Sequence, residues 1–166
     1  MSSTLKPEDA AQLLDAVTWA VSEEKPLDIH GLGTKRTIGR PSQHEFSLDL
    51  SALTGVTLYE PEELVLSARA ATPRAEVEKL LQDKNQEFAF EPPNLACLLG
   101  ADSAGTLGGM IASNLAGPRR IKAGAVRDHF LGFSAVSGRG ETFKSGGRVV
   151  KNVTGYDLPK VIAGSW

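Results

Sequence analysis

Apolar positions recur at helical spacing first over residues 7–24, where Leu13, Leu14, Val17 and Val21 share one face and Pro7-Glu8-Asp9 supplies a first turn. Pro26-Leu27-Asp28-Ile29-His30 then reads as a short strand, running directly into Gly31-Leu32-Gly33-Thr34-Lys35-Arg36. Residues 45–50, 55–59 and 64–70 alternate or run apolar between turn residues and predict three further strands. Thr72-Pro73 has the chemistry of a helix start, with Thr72 as N-cap, Pro73 at the first position, and Val77, Leu80 and Leu81 facing the core up to about Lys84. Phe88-Ala89-Phe90 predicts a short strand stopped by Pro92-Pro93. This order is α+β with neighbouring strands and without a regular βαβ repeat.

The second half is organised around Gly105-Thr106-Leu107-Gly108-Gly109-Met110-Ile111-Ala112-Ser113-Asn114-Leu115-Ala116-Gly117-Pro118-Arg119-Arg120. Leu107, Met110 and Ile111 predict a short buried turn of helix with Gly108-Gly109 near its start. Glycine weakens a regular element by roughly 0.5–1 kcal/mol per position relative to alanine, so something must offset the cost. A glycine-rich helix start with free N–H groups suits an anion; tight helix-on-sheet packing leaves the same signature. A basic loop over 119–124 follows, then strand-like apolar positions over 126–138 and a hairpin turn at Ser137-Gly138-Arg139-Gly140. Glu141-Thr142-Phe143-Lys144 returns antiparallel. The polar run over 146–158 holds Asn152, Thr154 and Asp157, which can bond local backbone or a ligand. Residues 159–163 predict a last helical turn.

With 166 residues the chain can bury a core without staples, as one domain or two small lobes. A net charge of −2 argues against a general nucleic-acid binder. Between Gly117 and Lys151, however, eight Lys or Arg face only Asp128 and Glu141, whereas residues 60–91 are acidic. An anionic ligand favours such a basic third, though a solvated face shows the same charges. Cys97 is the sole cysteine, which excludes an internal disulfide, fits a reducing compartment and predicts a buried, inert thiol. The start of the chain has no signal-peptide pattern, and no apolar run is long enough to span a bilayer.

The strand entering Gly31-Leu32-Gly33 suits a backbone nest for phosphate, with Thr34 adding a hydroxyl and Lys35 or Arg36 a charge. It is neither the Rossmann fingerprint nor a P-loop, and ligand-free turns often share it. No nucleophile elbow occurs, and His30, His44 and His129 lack metal-ligand spacing, which predicts no metal site. Three glycine-rich loops without an evident reactive side chain point to a cofactor that carries the chemistry.

Taken in order, Gly31-Leu32-Gly33-Thr34-Lys35, the strand block ending near Arg69, Glu91-Pro92-Pro93, Gly108-Gly109-Met110-Ile111-Ala112, Gly117-Pro118-Arg119-Arg120, Val126-Arg127-Asp128 and Lys151-Asn152-Val153-Thr154-Gly155-Tyr156-Asp157-Leu158 resemble the flavin-binding half of the vanillyl-alcohol oxidase family, the PCMH-type FAD-binding fold. Within that family they are similar to the FAD-binding E subunits of bacterial glycolate oxidase. The resemblance spans about residues 7–166. It implies one α+β FAD-binding domain over 1–166, with a first lobe over about 1–95, a second over about 96–166, and FAD between them.

By the same resemblance, Gly31, Leu32, Gly33, Thr34 and Lys35 would hold the pyrophosphate, helped by Gly108 and Gly109. Ser113, Asn114 and Gly117 would line the ribityl and ring region. Arg127 and Asp128, with Val149, Asn152, Tyr156 and Asp157, would close the adenine and ribose side. Members that link flavin covalently use a histidine in the first loop. Here the loop reads Leu32-Gly33-Thr34-Lys35 and His30 precedes it, so non-covalent FAD is expected.

The implied reaction is two-electron oxidation of a small 2-hydroxy acid such as glycolate or D-lactate. Hydride would pass from Cα to flavin N5, and electrons onward to an iron–sulfur subunit. A second flavin subunit completes the implied partners; no nucleic acid is expected, and the implied location is cytoplasmic with membrane association only through partners. Family chains continue past Gly164-Ser165 with another strand and a substrate-covering domain. A second lobe incomplete at its C-terminus, an absent cap domain and unassigned catalytic residues are therefore expected. Two alternatives stand beside this reading: a non-catalytic flavin-binding or assembly module, and a flavin subunit of the same fold with another substrate, such as that of a molybdenum hydroxylase or a cell-wall precursor reductase.

Overall fold

The structure is a computed structural model that describes residues 3–148 and 155–166. Strand β1 (Ser3–Leu5) leads into helix α1 (Ala10–Ser22). Asp9 caps that helix, its carboxylate accepting from the Gln12 N–H at 2.8 Å, while the Glu8 N–H donates to Gln12 Oε1 at 2.9 Å. These reciprocal bonds satisfy donors that a helix start would otherwise leave open. Strands β2 (Leu27–His30) and β3 (Phe46–Asp49) complete a parallel sheet in the order β1-β3-β2. As the middle strand, β3 is paired on both edges, and Leu48 is only 1% exposed. Trp19 of α1 meets Phe46 edge-on, with ring centroids 5.0 Å apart.

Strands β4 (Val56–Glu60) and β5 (Val65–Ala68) pair antiparallel around a short 3-10 turn at Pro61–Glu63. Helix α2 (Arg74–Gln82) follows, with Val77 and Leu81 buried and Leu80 at the edge of the core. The Thr72 N-cap expected from sequence is not formed. The Thr72 hydroxyl donates to the Arg69 carbonyl at 2.7 Å and accepts from the Gly55 N–H at 3.0 Å, so it ties the β4 entrance to the end of β5. Pro73 takes the cap position and bridges to Thr106.

Residues 88–90 are not a strand either. Phe88 and Phe90 turn inward as neighbours 5.2 Å apart, and Phe90, Met110 and Val126 form a core cluster with Leu107 and Ile111 against it. Burial of both rings outweighs strand pairing, and Pro92-Pro93 has no N–H to extend a ladder. Cys97, in helix α3 (Ala96–Leu99), is exposed rather than buried, because its short turn lies on the surface.

Helix α4 (Leu107–Ser113) forms where the glycine-rich run predicts a buried turn. The basic stretch after it is not all loop: Arg120–Ala123 winds into α5. Val126–His129 is a helical turn, α6, rather than the start of a strand, because the Asp128 carboxylate accepts from the Ala125 N–H at 2.8 Å and closes it. Strands β6 (Gly132–Val136) and β7 (Thr142–Gly146) form the expected hairpin, with Phe133 and Phe143 packed edge-on at 5.4 Å. Helix α7 (Leu158–Ile162) is fastened by Lys160 Nζ, which donates to the Arg127 and Phe130 carbonyls at 2.6 and 3.1 Å. Val149 and Asn152, expected near the adenine and ribose, lie outside the described residues.

Candidate functional site

At the C-terminal end of β2 the chain folds back over Gly31–Ile38 by turn bonds from the Arg36 N–H to the Gly33 carbonyl (3.2 Å) and from the Ile38 N–H to the Lys35 carbonyl (3.0 Å). Gly33 sits at φ +65°, a conformation glycine adopts without steric penalty. Of the two cations that the sequence offers here, the structure separates the roles. The Arg36 guanidinium turns back onto the Asp28 carboxylate, with His44 beside it. The Lys35 ammonium instead approaches a second turn, the one at Gly105.

That second turn is a close approach of backbone to side chain. A Cβ at Gly105, where φ is +90°, would lie 2.8 Å from Thr34 Oγ1 and 3.6 Å from Lys35 Nζ. A Cβ at Gly31 would lie 3.1 Å from Thr106 Cγ2. Two turns far apart in sequence thus meet with a hydroxyl and an ammonium between them. Thr106 is buried and caps α4 through the Gly109 N–H at 3.1 Å. Lys35 is half-buried, and this desolvation holds its ammonium below the usual lysine range, with the nearby Arg74 guanidinium adding to the effect. Arg74 itself is committed to Glu78 Oε1 at 2.7 Å and to the Pro93 carbonyl at 3.0 Å.

The free N–H groups expected at the start of α4 are not there. The Leu107 N–H donates to the Thr72 carbonyl at 2.9 Å, and the Gly108 N–H to the Ala70 carbonyl at 2.7 Å. What Gly108 contributes is closeness, since a Cβ there would stand 2.8 Å from the Ala70 oxygen. Donors for a phosphate must therefore come from the first loop, which still offers the Thr34 hydroxyl and the Lys35 ammonium. That donor set, pressed against glycine backbone, fits the diphosphate of a dinucleotide.

The other expected residues gather at the far end of α4, about 10 Å along its axis at 1.5 Å per residue. The Ser113 hydroxyl donates to the Met110 carbonyl at 3.2 Å. Asn114 terminates α4 at φ 46°, and its Oδ1 accepts from the Arg127 N–H at 3.1 Å. Asp128 is engaged in its cap, Leu32, Arg127 and Asp128 are exposed, and Asp157 stands at the start of α7 with the exposed Tyr156 before it. Gly117 leaves this cluster to meet Glu91: its N–H donates to the Glu91 carbonyl at 2.8 Å. Thr106 and Glu91 carried no role in the sequence reading. For Thr106 a signal was present, a threonine three residues before Gly109; for Glu91 the partner lies 28 residues away.

Among the described residues no group of three or more His, Cys, Asp or Glu could hold a metal ion, and no helix is long and apolar enough to cross a membrane.

Residues 2–146 match the FAD binding domain family. The glycolate oxidase subunit GlcE of Escherichia coli is 40% identical over 93% of this chain, which spans 42% of that protein. The D-lactate dehydrogenase of Archaeoglobus fulgidus is 28% identical over 97% of this chain, which spans 34% of it. The glycolate oxidase subunit GlcD of Bacillus subtilis is 24% identical over 98% of this chain and is spanned to 33% of its length. Among solved structures, an alkyldihydroxyacetonephosphate synthase superposes over 98% of this chain and 30% of its own with a TM-score of 0.72 at 20% identity, a likeness of fold.

Proposed function

This chain belongs to the FAD binding domain family, whose cofactor is FAD, and on that premise we propose that it holds FAD non-covalently as the flavin-binding part of an oxidoreductase acting on a small 2-hydroxy acid such as glycolate or D-lactate. The meeting of the 31–35 loop with the Gly105-Thr106 turn carries the reading: the glycine backbone of each turn packs against a threonine side chain of the other, around one hydroxyl and one ammonium. Gly31, Leu32, Gly33, Thr34 and Lys35 would take the diphosphate, with Gly108 setting how closely the second lobe approaches and Gly109 held to the Thr106 cap beside it. Ser113, Asn114 and Gly117, at the other end of α4, would face the ribityl chain and ring. Arg127, Asp128, Tyr156 and Asp157, with Val149 and Asn152, would close the adenosine side. When bound, FAD supplies a ring that accepts two electrons. The chain's part is to hold and orient it, and to neutralise its diphosphate through Lys35.

The names of the relatives support the substrate class, and two of them are glycolate oxidase subunits, which supports a multi-subunit complex; a second flavin subunit and an iron–sulfur subunit that takes the electrons are the partners proposed for it. The chain spans less than half the length of the relatives it matches, and a flavin-binding or assembly module without turnover of its own is the alternative that the same site would serve. The purified chain should release FAD on heating or acid treatment, about one per chain. A protein that stays colourless after incubation with excess FAD overturns the proposal. Bleaching of the bound flavin by glycolate or D-lactate selects the enzyme; its absence selects the module.

A further inference from the structure

We infer that Glu91 is a positioning residue of the flavin site: it latches the 117–119 turn to the end of the first lobe and so sets the course of the 113–117 segment. Three hydrogen bonds and one steric fact carry this. The Glu91 carbonyl accepts from the Gly117 N–H at 2.8 Å, its Oε2 from the Arg119 N–H at 2.8 Å, and its Oε1 from Arg119 Nε at 2.6 Å. A Cβ at Gly117 would come within 2.7 Å of the Glu91 Cβ, so the turn lies flat against the glutamate stem. The carboxylate thus bonds main chain and side chain of one residue at once, a fixed geometry that a surface ion pair alone does not supply. Pro118, between the two tethered N–H groups, has a fixed φ, so Gly117 and Arg119 are held as one rigid unit.

Upstream, the same segment is tied at Asn114, whose Oδ1 receives the Arg127 N–H. Residues 115 and 116 are therefore strung between two anchors, one at each end. Release of the Glu91 anchor loosens the Gly117 end of a segment that faces the ribityl chain and ring in the reading above, on which this inference rests. Arg119 points its guanidinium at Glu91, so Glu91 acts through the turn and not on the ligand.

The test compares the full chain with Glu91→Ala and Glu91→Gln, using amide hydrogen exchange of the FAD-free protein and titration with FAD. Glu91→Ala should raise exchange over 113–119 by about tenfold and weaken FAD by about tenfold, while exchange in β1-β3-β2 stays as it was. Glu91→Gln keeps an oxygen for the Arg119 N–H and should recover most of both losses. The bound flavin's visible band should change shape in the alanine variant and return in the glutamine variant, which general loosening would not produce. Unchanged exchange over 113–119 in Glu91→Ala overturns the latch whatever the flavin does. Raised exchange with unaltered FAD affinity and spectrum overturns the positioning role. Should Glu91→Ala fail to fold, Gly117→Ala presses the same contact from the other side and must give the same pair of changes. An unaltered chain that takes up no FAD fails the functional reading, and with it the flavin half of this inference, whereas the exchange data still judge the latch separately.

Discussion

Two junctions join the 31–74 stretch and Glu91 to the segments around α4, and they are made in opposite ways. At the Gly31/Thr106 and Gly105/Thr34 contacts, the missing glycine side chain lets backbone close on a threonine of the other turn. At Glu91 and Arg119, a carboxylate spans the gap with charge-assisted bonds. The first junction tolerates almost no added atom, and its failure is steric. The second sits at the surface, with the Arg119 side chain 69% exposed, and its failure is graded. A junction of backbone is therefore all-or-none toward substitution, whereas one of charge can be tuned and responds to pH and salt.

The comparison breaks most severely at the backbone junction. Gly105→Val puts a branched side chain at φ +90° against Thr34, which should cost about 2 kcal/mol or more in thermal stability and abolish FAD retention. Gly33→Val should remove FAD with a smaller stability loss, since its Cβ meets only the flexible Arg36 stem. Normal flavin content in Gly105→Val would refute the backbone junction, and in Gly33→Val the role given to the 31–35 loop in holding the diphosphate.

Lys35→Gln comes next. Losing the ammonium should weaken FAD about tenfold, or about 1.4 kcal/mol. Burial and Arg74 hold Lys35 below its ordinary value, so it loses its proton earlier than a solvated lysine as pH rises. FAD affinity of the parent should therefore decline on the alkaline side, and the glutamine variant should lose that decline. An identical pH profile in both would show that Lys35 does not face the diphosphate.

At the charged junction the effect is smaller and lies at acid pH. The Arg119 N–H and guanidinium hold the Glu91 carboxyl below its usual range. Its contribution is thus present above the ordinary carboxylate pKa and is lost as pH falls through the lowered value. Melting curves of Glu91→Gln should show a shallower acid loss than the parent, and added salt should narrow the gap. The smallest effect belongs to His129→Ala. It removes a ring partner of Phe90 at 5.4 Å and should cost about 1 kcal/mol, leaving bound flavin in place. Flavin loss there would place His129 in the site.

The same division explains what was legible in the chain. The 7–24 periodicity and the β6-β7 hairpin are local demands, and local demands are written in residue type, although Asp9, read as part of the first turn, caps α1 from just outside it. The glycine loops were legible too, because a left-handed or tightly approached backbone leaves few residues to choose from. β1 is only three residues long, too short for a period, and exists because β3 pairs with it. Phe88-Ala89-Phe90 has a strand's pattern but no strand to join, and the core takes its rings. Thr72 carries the chemistry of an N-cap, yet Arg69 and Gly55, brought beside it by the β4-β5 pair, compete for its hydroxyl. At Gly108 the glycine was visible, but its reason was not: the N–H that sequence left free for an anion belongs to Ala70.

By itself, then, the sequence determined where the glycine turns fall, the order in which they come, and most of the α+β elements between them. Only the tertiary structure decided that Lys35 rather than Arg36 faces the second turn, that α4 offers closeness rather than donors, and that Glu91 holds the 117–119 turn. Each of these depends on partners distant in sequence, whose meeting is fixed by packing and by competition for hydrogen bonds, and neither is encoded in any one segment.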